Sequence, residues 1–317
     1  LATVDLVGSG VERGNQAGVL LGERIRHLLR LTGLRRSYHL MSAKRESLLA
    51  GLDPDHRAEL TAMAERSGVG LEALADANLA LDTLCTALVT GADGHGPVRL
   101  ARNMDYFPAS VLGPGTIVTT WRTPGRHVVT GIGWPGYVGV ISGMNENGLC
   151  ATVLQNGRWH GDVGTPLPFR VREVLEQATT VEEAVAIFRR TPVASDHFIV
   201  LADARNAAVV WYDGTFHRRD PVNGVLTCSN GRPDAAGEQH DRRTRKLCAL
   251  RDAGRIGSEG ELKEALKAVY LRGINAQAML FRPEKGELEL ALAKPWRPAA
   301  REEYVRVSLA EEGDGRK

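Results

Sequence analysis

At residue 85 the chain changes character, and that change limits the folds open to it. Downstream of Cys85 the runs CTALVT (85–90), VRLARNM (98–104), TIVTTW (116–121), RHVVTGI (126–132), YVGVISG (137–143) and LCATVL (149–154) come in close succession. GADGHGP, RTPG and MNENG, three hairpin-type turn sequences, punctuate them. Short β-type runs joined by tight turns imply antiparallel pairing. Upstream of Cys85 the pattern is helical: Leu20, Leu21, Ile25, Leu28 and Leu29 recur near helical spacing, with Gly33 as a C-cap. Residues 54–67 and 71–81 add two helices divided by Gly68-Val69-Gly70, and a short strand at Val4–Val7 precedes them all.

Helices return at PFRVREVLEQA and VEEAVAIFRRT, strands at HFIVLAD, AAVVWYD and GVLTCS. Further helices lie at HDRRTRKLCALRDAG and GELKEALKAVYLRG, and strands at AQAMLFR, ELELALA and EYVRVSL, before a polar AEEGDGRK tail. Alternating blocks of helices and hairpins predict an α+β fold in which two antiparallel sheets pack face to face beneath helices, a four-layer αββα sandwich. At 317 residues, 43% hydrophobic and 25% charged, the chain has the core for one large layered domain.

Charge excludes some functions. Forty basic residues against 38 acidic leave a net +2, and the arginines are interspersed with carboxylates, so no one-signed stripe for nucleic acid exists. The four cysteines lie far apart without a CxxC pair, and the nine histidines lack the i,i+4 spacing of a helical metal site. No metal or cofactor is expected. No apolar run approaches the ~20 residues of a membrane span. The chain starts at Leu1 rather than Met, which leaves the compartment open, with the cytoplasm favoured. Nothing in the sequence specifies an oligomeric state.

The chemistry-bearing cluster is Cys85 with Arg102 and Asp105. Pairing CTALVT with VRLARNM about a centre near Gly94 sets Cys85 roughly opposite Arg102 and Asn103. Arg102 and Asp105 have opposite strand parity, so a bulge or strand end is expected near Asn103. A neighbouring cation stabilises a thiolate, and a carboxylate can orient a donor. No histidine forms a dyad with the cysteine. If the Leu84–Cys85 bond is cut, however, the new α-amine, with an ordinary pKa of ~7.7–8.0, can accept the thiol proton. The plain alternative is structural: cysteine is among the most buried residue types, and Arg102 with Asp105 can be an ion pair.

Taken together, Cys85-Thr86, ARNMDY (101–106), GSGVERGNQAGVLLGERI (8–25), ELTAMAERSGV with ANLALDTLCTAL (59–88), GYVGVISGMNENGL (136–149) and SNGRP…HDRRT (229–244) resemble the cysteine N-terminal-nucleophile (Ntn) hydrolases. Two branches are similar: the isopenicillin N acyltransferase-like family, and the N-acylethanolamine acid amidase and acid ceramidase family. The resemblance implies the αββα fold and autocatalytic cleavage into 1–84, which stays bound, and 85–317, the two forming one domain. It implies Cys85 as nucleophile, Arg102 and Asp105 beside it, Asn230 in the oxyanion hole and Arg243, or its neighbour Arg242, as a further site arginine. Asn156, with Gln155 close behind, is the expected second oxyanion side chain.

Read without the resemblance, Asn230-Gly231 is a turn dipeptide, Arg242 and Arg243 are solvated charge, His197 is a structural histidine, and the 145–148 loop carries no chemistry. Trp134, Tyr137 and Trp159 either line an acyl pocket or pack the core. The expected activity is hydrolysis of a linear, non-peptide N-acyl amide of small-molecule type through a thioester. The alternatives are acyl transfer to an amine, an unprocessed binding protein of the same fold, and a papain-like peptidase relying on His197.

Overall fold

The computed structural model describes residues 1–32, 45–46, 49–79, 84–159, 164–191, 195–234 and 237–307, without the side chains of 156–159 and 195–196. The expected Gly33 cap, residues 80–81 of the third expected upstream helix and the polar tail lie outside these residues.

The N-terminal part consists of β1 (Ala2–Val7), α1 (Gly10–Leu31), α2 (Pro54–Ser67) and α3 (Leu71–Leu79). Glu12 starts α1 by accepting from the backbone N and Oγ of Ser9, both at 2.7 Å. Its buried face is not the leucine stripe alone. Leu20 is 61% exposed, whereas Gly10, Gly14, Ala17, Gly18, Leu21 and Ile25 are buried. A Cβ on Gly14 would come within 2.3 Å of the Glu59 carbonyl oxygen, so glycine lets α1 lie backbone-close to α2. Pro54 at the first turn, the Asp53 side chain accepting from Asp55 N and a left-handed Gly68 delimit α2 over the expected 54–67.

The rest of the chain supplies β2 (Leu84–Thr90), β3 (Arg99–Asp105), α4 (Ala109–Gly115), β4 (Ile117–Arg122), β5 (Val129–Gly133), β6 (Ser142–Asn145), β7 (Cys150–Trp159), α5 (Leu167–Gln177) and α6 (Val181–Arg190). It continues through β8 (Ser195–Ala202), β9 (Ala207–Tyr212), β10 (Phe216–Arg219), β11 (Leu226–Cys228), α7 (Arg242–Asp252), α8 (Glu259–Val269), β12 (Asn275–Arg282), β13 (Glu287–Leu292) and β14 (Val305–Val307). One sheet has eight strands, ordered β1-β4-β5-β6-β7-β8-β9-β10; the other has six, ordered β11-β2-β3-β12-β13-β14. Two sheets with helices on them are the α+β arrangement expected. One pair departs from antiparallel order, since β1 runs parallel to β4.

Of YVGVISG only the end is strand. Val140 N bonds the Pro168 carbonyl at 2.8 Å, and a Cβ on Gly139 would sit 2.4 Å from Pro168 Cβ. The approach of the α5 start therefore draws this segment out of the sheet. The short helix α4 and strand β10 have no counterpart in the periodicity. In the six-stranded sheet β12 is buried at every residue, and β2 and β3 at all but their first.

A buried ionic cluster ties the N-terminal helices to the remainder of the fold. Glu59 accepts from Arg13 Nε and Arg172 Nη2, both at 2.9 Å, and from Trp121 Nε1 at 2.8 Å. His56 Nε2 lies 3.1 Å from Glu176, which also receives Arg172 and Arg126. Burial works to raise the Glu176 carboxyl, but Arg172, His56 and Arg126 hold it far below the usual carboxylate range.

Candidate active site

The hairpin register decides which side chains meet. Cys85 pairs with Met104, Thr86 with Asn103 and Ala87 with Arg102. The hairpin centre thus lies slightly beyond Gly94, and the expected pairing of Cys85 with Arg102 and Asn103 is corrected by one to two residues. A one-residue change exchanges faces. Cys85 and Arg102 consequently share one face of the sheet as diagonal neighbours, and Asp105 occupies the other. No bulge interrupts β2–β3 at Asn103; the irregularity lies on the other side of β3, in β12 between Asn275 and Gln277.

On the face toward the eight-stranded sheet, Arg102 is fully buried. Its Nη2 donates to Cys85 Sγ at 3.1 Å and to the Val153 carbonyl at 2.5 Å. Its Nη1 donates to the Ile141 carbonyl and to Ser142 Oγ. Among the described residues no carboxylate lies within 4 Å of this guanidinium. The opposite sheet therefore holds a buried cation against the sulfur through neutral oxygens.

On the other face, Asp105 Oδ1 accepts from Asn275 Nδ2 at 2.9 Å and Leu271 N at 3.3 Å. Its Oδ2 lies 3.9 Å from Arg243 Nη1. Burial outweighs these partners and raises the Asp105 carboxyl to about 7, so it carries a proton part of the time at neutral pH.

The cysteine nitrogen is held as closely as its sulfur. Strand β11 pairs with β2, Cys228 opposite Ala87, so the chain leaving β11 runs alongside Cys85. There Asn230 Oδ1 accepts from Cys85 N at 2.6 Å, and Asn230 Nδ2 donates to the Gln155 carbonyl at 2.5 Å. Arg243 Nη2 donates to the same Asn230 oxygen at 2.8 Å, while its Nη1 donates to Cys85 O at 2.8 Å and Thr86 Oγ1 at 3.2 Å. Arg243 arrives here because Asp241 caps α7, accepting from Arg243 N at 2.9 Å, and is bonded by Ser229 Oγ. Gly231 permits that packing, since a Cβ would approach Asp241 Oδ2 to 2.6 Å. Arg242 is exposed.

Five of the six expected side chains thus converge: Cys85, Arg102, Asp105, Asn230 and Arg243. The sixth, Asn156, lies in β7, but its side chain falls outside the described residues, as does that of Trp159. Of its neighbour Gln155 the backbone carbonyl reaches the site. Pattern reading missed Ser142 and Asn275, which hold Arg102 and Asp105; no motif marks either. His197 is buried and pairs across strands with Gln155. No imidazole is among the described side chains bonded to Cys85. All four cysteines are free, and no cluster of three His, Cys, Asp or Glu side chains among the described residues is arranged for a metal ion. No described helix is long and apolar enough to cross a membrane.

Beside the site lies an apolar cavity of about 90 Å³, lined by Leu28, Leu74, Tyr106, Leu112, Trp134 and Tyr137 among others. Trp134 meets Tyr106 and Tyr137 edge-on, with centroids 5.6 and 6.3 Å away. Tyr106 of the cavity wall directly follows Asp105 in the chain, which sets the cavity next to the end of β3.

Two packed, helix-flanked sheets with this site between strands define the class: the fold is that of the Ntn-hydrolases. The structure resembles an N-acylethanolamine-hydrolyzing acid amidase ortholog from Caenorhabditis elegans (TM-score 0.52, 24% identity, 63% of this chain and 93% of that one). It also resembles a mutant conjugated bile acid hydrolase from Clostridium perfringens (TM-score 0.50, 17% identity, 71% and 92%). Within the class, the acyl-coenzyme A:6-aminopenicillanic acid acyl-transferase family pattern matches residues 90–243. The sequence is 27% identical over 223 residues to the N-acylethanolamine-hydrolyzing acid amidase of Oryctolagus cuniculus, covering 64% of this chain and 62% of that protein. It is 24% identical over 196 residues to the acid ceramidase of Rattus norvegicus, covering 51% and 48%. The chain has the Ntn-hydrolase fold and is similar in sequence to these two enzymes, matching between about half and 62% of their length.

Proposed function

We propose that the protein is a self-processing cysteine amidohydrolase that cleaves a linear, non-peptide amide with an apolar acyl group. One observation carries the reading: sulfur and nitrogen of a single residue, Cys85, are each held by a dedicated side chain, Sγ by Arg102 at 3.1 Å and N by Asn230 at 2.6 Å. A core cysteine needs neither contact. A residue whose own amine serves as its base needs both.

In the continuous chain that nitrogen belongs to the Leu84–Cys85 amide. Attack of Cys85 Sγ on the Leu84 carbonyl forms an S–C bond as the C–N bond breaks, and the nitrogen gains a proton. Water then hydrolyses the thioester, leaving 1–84 and 85–317 with a free α-amine on Cys85. In turnover this amine takes the thiol proton, and Arg102 stabilises the thiolate as it attacks the substrate carbonyl. Asn230 Oδ1 and Arg243 hold the amine side. Asn230 and Asn156 are the side chains assigned to the developing oxyanion. The leaving amine departs with the proton, the acyl group stays on Cys85 as a thioester, and water releases it. The cavity of Tyr106, Trp134 and Tyr137 takes the acyl group. The names of the relatives, an N-acylethanolamine-hydrolyzing amidase and an acid ceramidase, support amide chemistry. The acyl-transferase family match favours one second reading, in which an amine replaces water as the acceptor.

Intact mass tests this. The purified protein should yield two fragments meeting at Leu84/Cys85, and incubation with N-acyl amides should add an acyl mass to the larger. Cys85→Ala should remain one chain and turn nothing over. A processed, active Cys85→Ala protein would falsify the assignment.

A further inference from the structure

Asn78 is the last residue but one of α3, where an asparagine is a weak helix former, and it is fully buried. Its amide is satisfied at both ends. Nδ2 donates to the Leu74 carbonyl at 2.9 Å, one turn back in its own helix, and to the Gly136 carbonyl at 2.8 Å. Oδ1 accepts from Val138 N at 2.7 Å. A carbonyl only accepts and a backbone N–H only donates, so these partners fix which way the amide faces. One side chain of the N-terminal part thus brackets Tyr137 and stands in for a strand neighbour beside residues 136–138, which belong to no strand.

The bracketed segment leads to Arg102. The Val138 carbonyl accepts from Arg172 Nη1 at 3.0 Å, and Val140 N bonds the Pro168 carbonyl at 2.8 Å. Residues 136–140 are therefore placed by α3 and by the start of α5 rather than by strand pairing. The next two residues, Ile141 and Ser142, give Arg102 Nη1 its acceptors. Nη2 of the same fork holds Cys85 Sγ at 3.1 Å.

We infer that Asn78 is a positioning residue for the nucleophile: it sets the 136–142 segment and, through Ile141 and Ser142, the Arg102 fork that faces the sulfur. Residues 1–84 then remain part of the working site after the Leu84–Cys85 bond is cut. This inference rests on the reading of Cys85 as nucleophile and extends it to a side chain bonded to neither the sulfur nor Arg102. Near the fork, burial pushes the Cys228 thiol on β11 up to about 12 and the Tyr137 phenol well above its ordinary value, so both stay neutral. Arg243 lies on the carbonyl side of Cys85. The α-amine freed by processing is common to every variant, which leaves Arg102 as the charge whose placement Asn78 changes.

Iodoacetamide alkylation of the purified protein, followed across pH by peptide mass, reads Cys85, with the half-buried Cys248 of α7 as internal reference. In Asn78→Ala the Cys85 profile should move to higher pH and its rate at pH 7 should fall about tenfold, with Cys248 unchanged. Asn78→Gln keeps the amide on a stem one methylene longer and should shift the profile the same way by less, which covers an alanine variant that fails to fold. Asn145→Ala strips an equally buried asparagine, bonded to the Leu175 and Ala178 carbonyls at the far end of β6, and should lower the melting temperature without moving the profile. An unmoved profile in either Asn78 variant, or an equal shift in Asn145→Ala, overturns the inference. Turnover of an N-acyl amide is read separately. Shifted profiles without turnover sink the hydrolase reading alone, turnover with unmoved profiles sinks the positioning role alone, and a Cys85 that is alkylated at no pH sinks both.

Discussion

Arg102 reaches Cys85 Sγ at 3.1 Å from a diagonal position, its strand partner being Ala87. A straight cross-strand pair would leave the guanidinium free to move. The diagonal reach instead passes it beneath the Ile141, Ser142 and Val153 oxygens of the other sheet, which fix the fork. Two sheets thus share the positioning of one cation. Arg102→Lys keeps the charge but not the fork, and kcat should fall ~10²-fold. Ser142→Ala removes one of the fork's four contacts and should cost less than about tenfold. Steady-state kinetics on one N-acyl substrate measure both, and a larger loss in Ser142→Ala than in Arg102→Lys would refute the ordering.

Asn230 should separate binding from chemistry. Asn230→Ala removes the acceptor for Cys85 N and the donor proposed for the oxyanion, so kcat should drop by ~10²-fold with KM changing far less. Processing should slow in parallel, read as the uncut fraction by gel electrophoresis. An unimpaired variant would return Asn230-Gly231 to an ordinary turn.

Asp105 gives stability a pH dependence whose sign is set by burial. Its carboxyl rises from 3.8 unfolded to about 7 folded, so between these values the unfolded state ionises while the folded state keeps its proton. The residue therefore costs the fold nothing below pH ~4, progressively more as pH rises, and up to ~4 kcal/mol above pH ~7. Asp105→Asn should raise the melting temperature relative to the parent at pH 8, with the gain shrinking toward pH 4. Thermal melts across that range check it; a gain that grows toward acid would contradict the assignment.

Glu59 is the keystone of the contact between 1–84 and the rest. Its removal in Glu59→Ala leaves Arg13 and Arg172 buried without their shared carboxylate, a loss of ~3–5 kcal/mol. The melting temperature should fall on the order of 10 °C. In processed protein the two fragments should part at lower denaturant, monitored by size-exclusion chromatography.

Much of the layout was legible in the sequence, because period and punctuation are local properties. Pro54 and Gly68 delimit a helix without reference to anything distant, and the alternation of hairpin and helix blocks already implies two covered sheets. Less was legible where contact overrides pattern. YVGVISG looks like a strand, and the start of α5 pulls most of it out of the sheet. The leucines of α1 look like its buried face, yet the glycine stripe carries the close packing against α2.

The site divides in the same way. Sequence alone determined which residue types are available: a cysteine where helix gives way to strand, ARNMD on the returning strand, SNG after β11, and an arginine at a helix start. Tertiary structure decided how they meet. One residue of register, set by the turn, sent Arg102 to the sulfur and Asp105 to the opposite face. Asp241 capping α7 brought Arg243 inward while Arg242 stayed exposed. Ser142, Asn275 and Asn78 find their partners only where distant segments pack together. Spacing along a chain constrains neighbours, whereas a buried charge takes its partners from whatever the fold brings within hydrogen-bond reach.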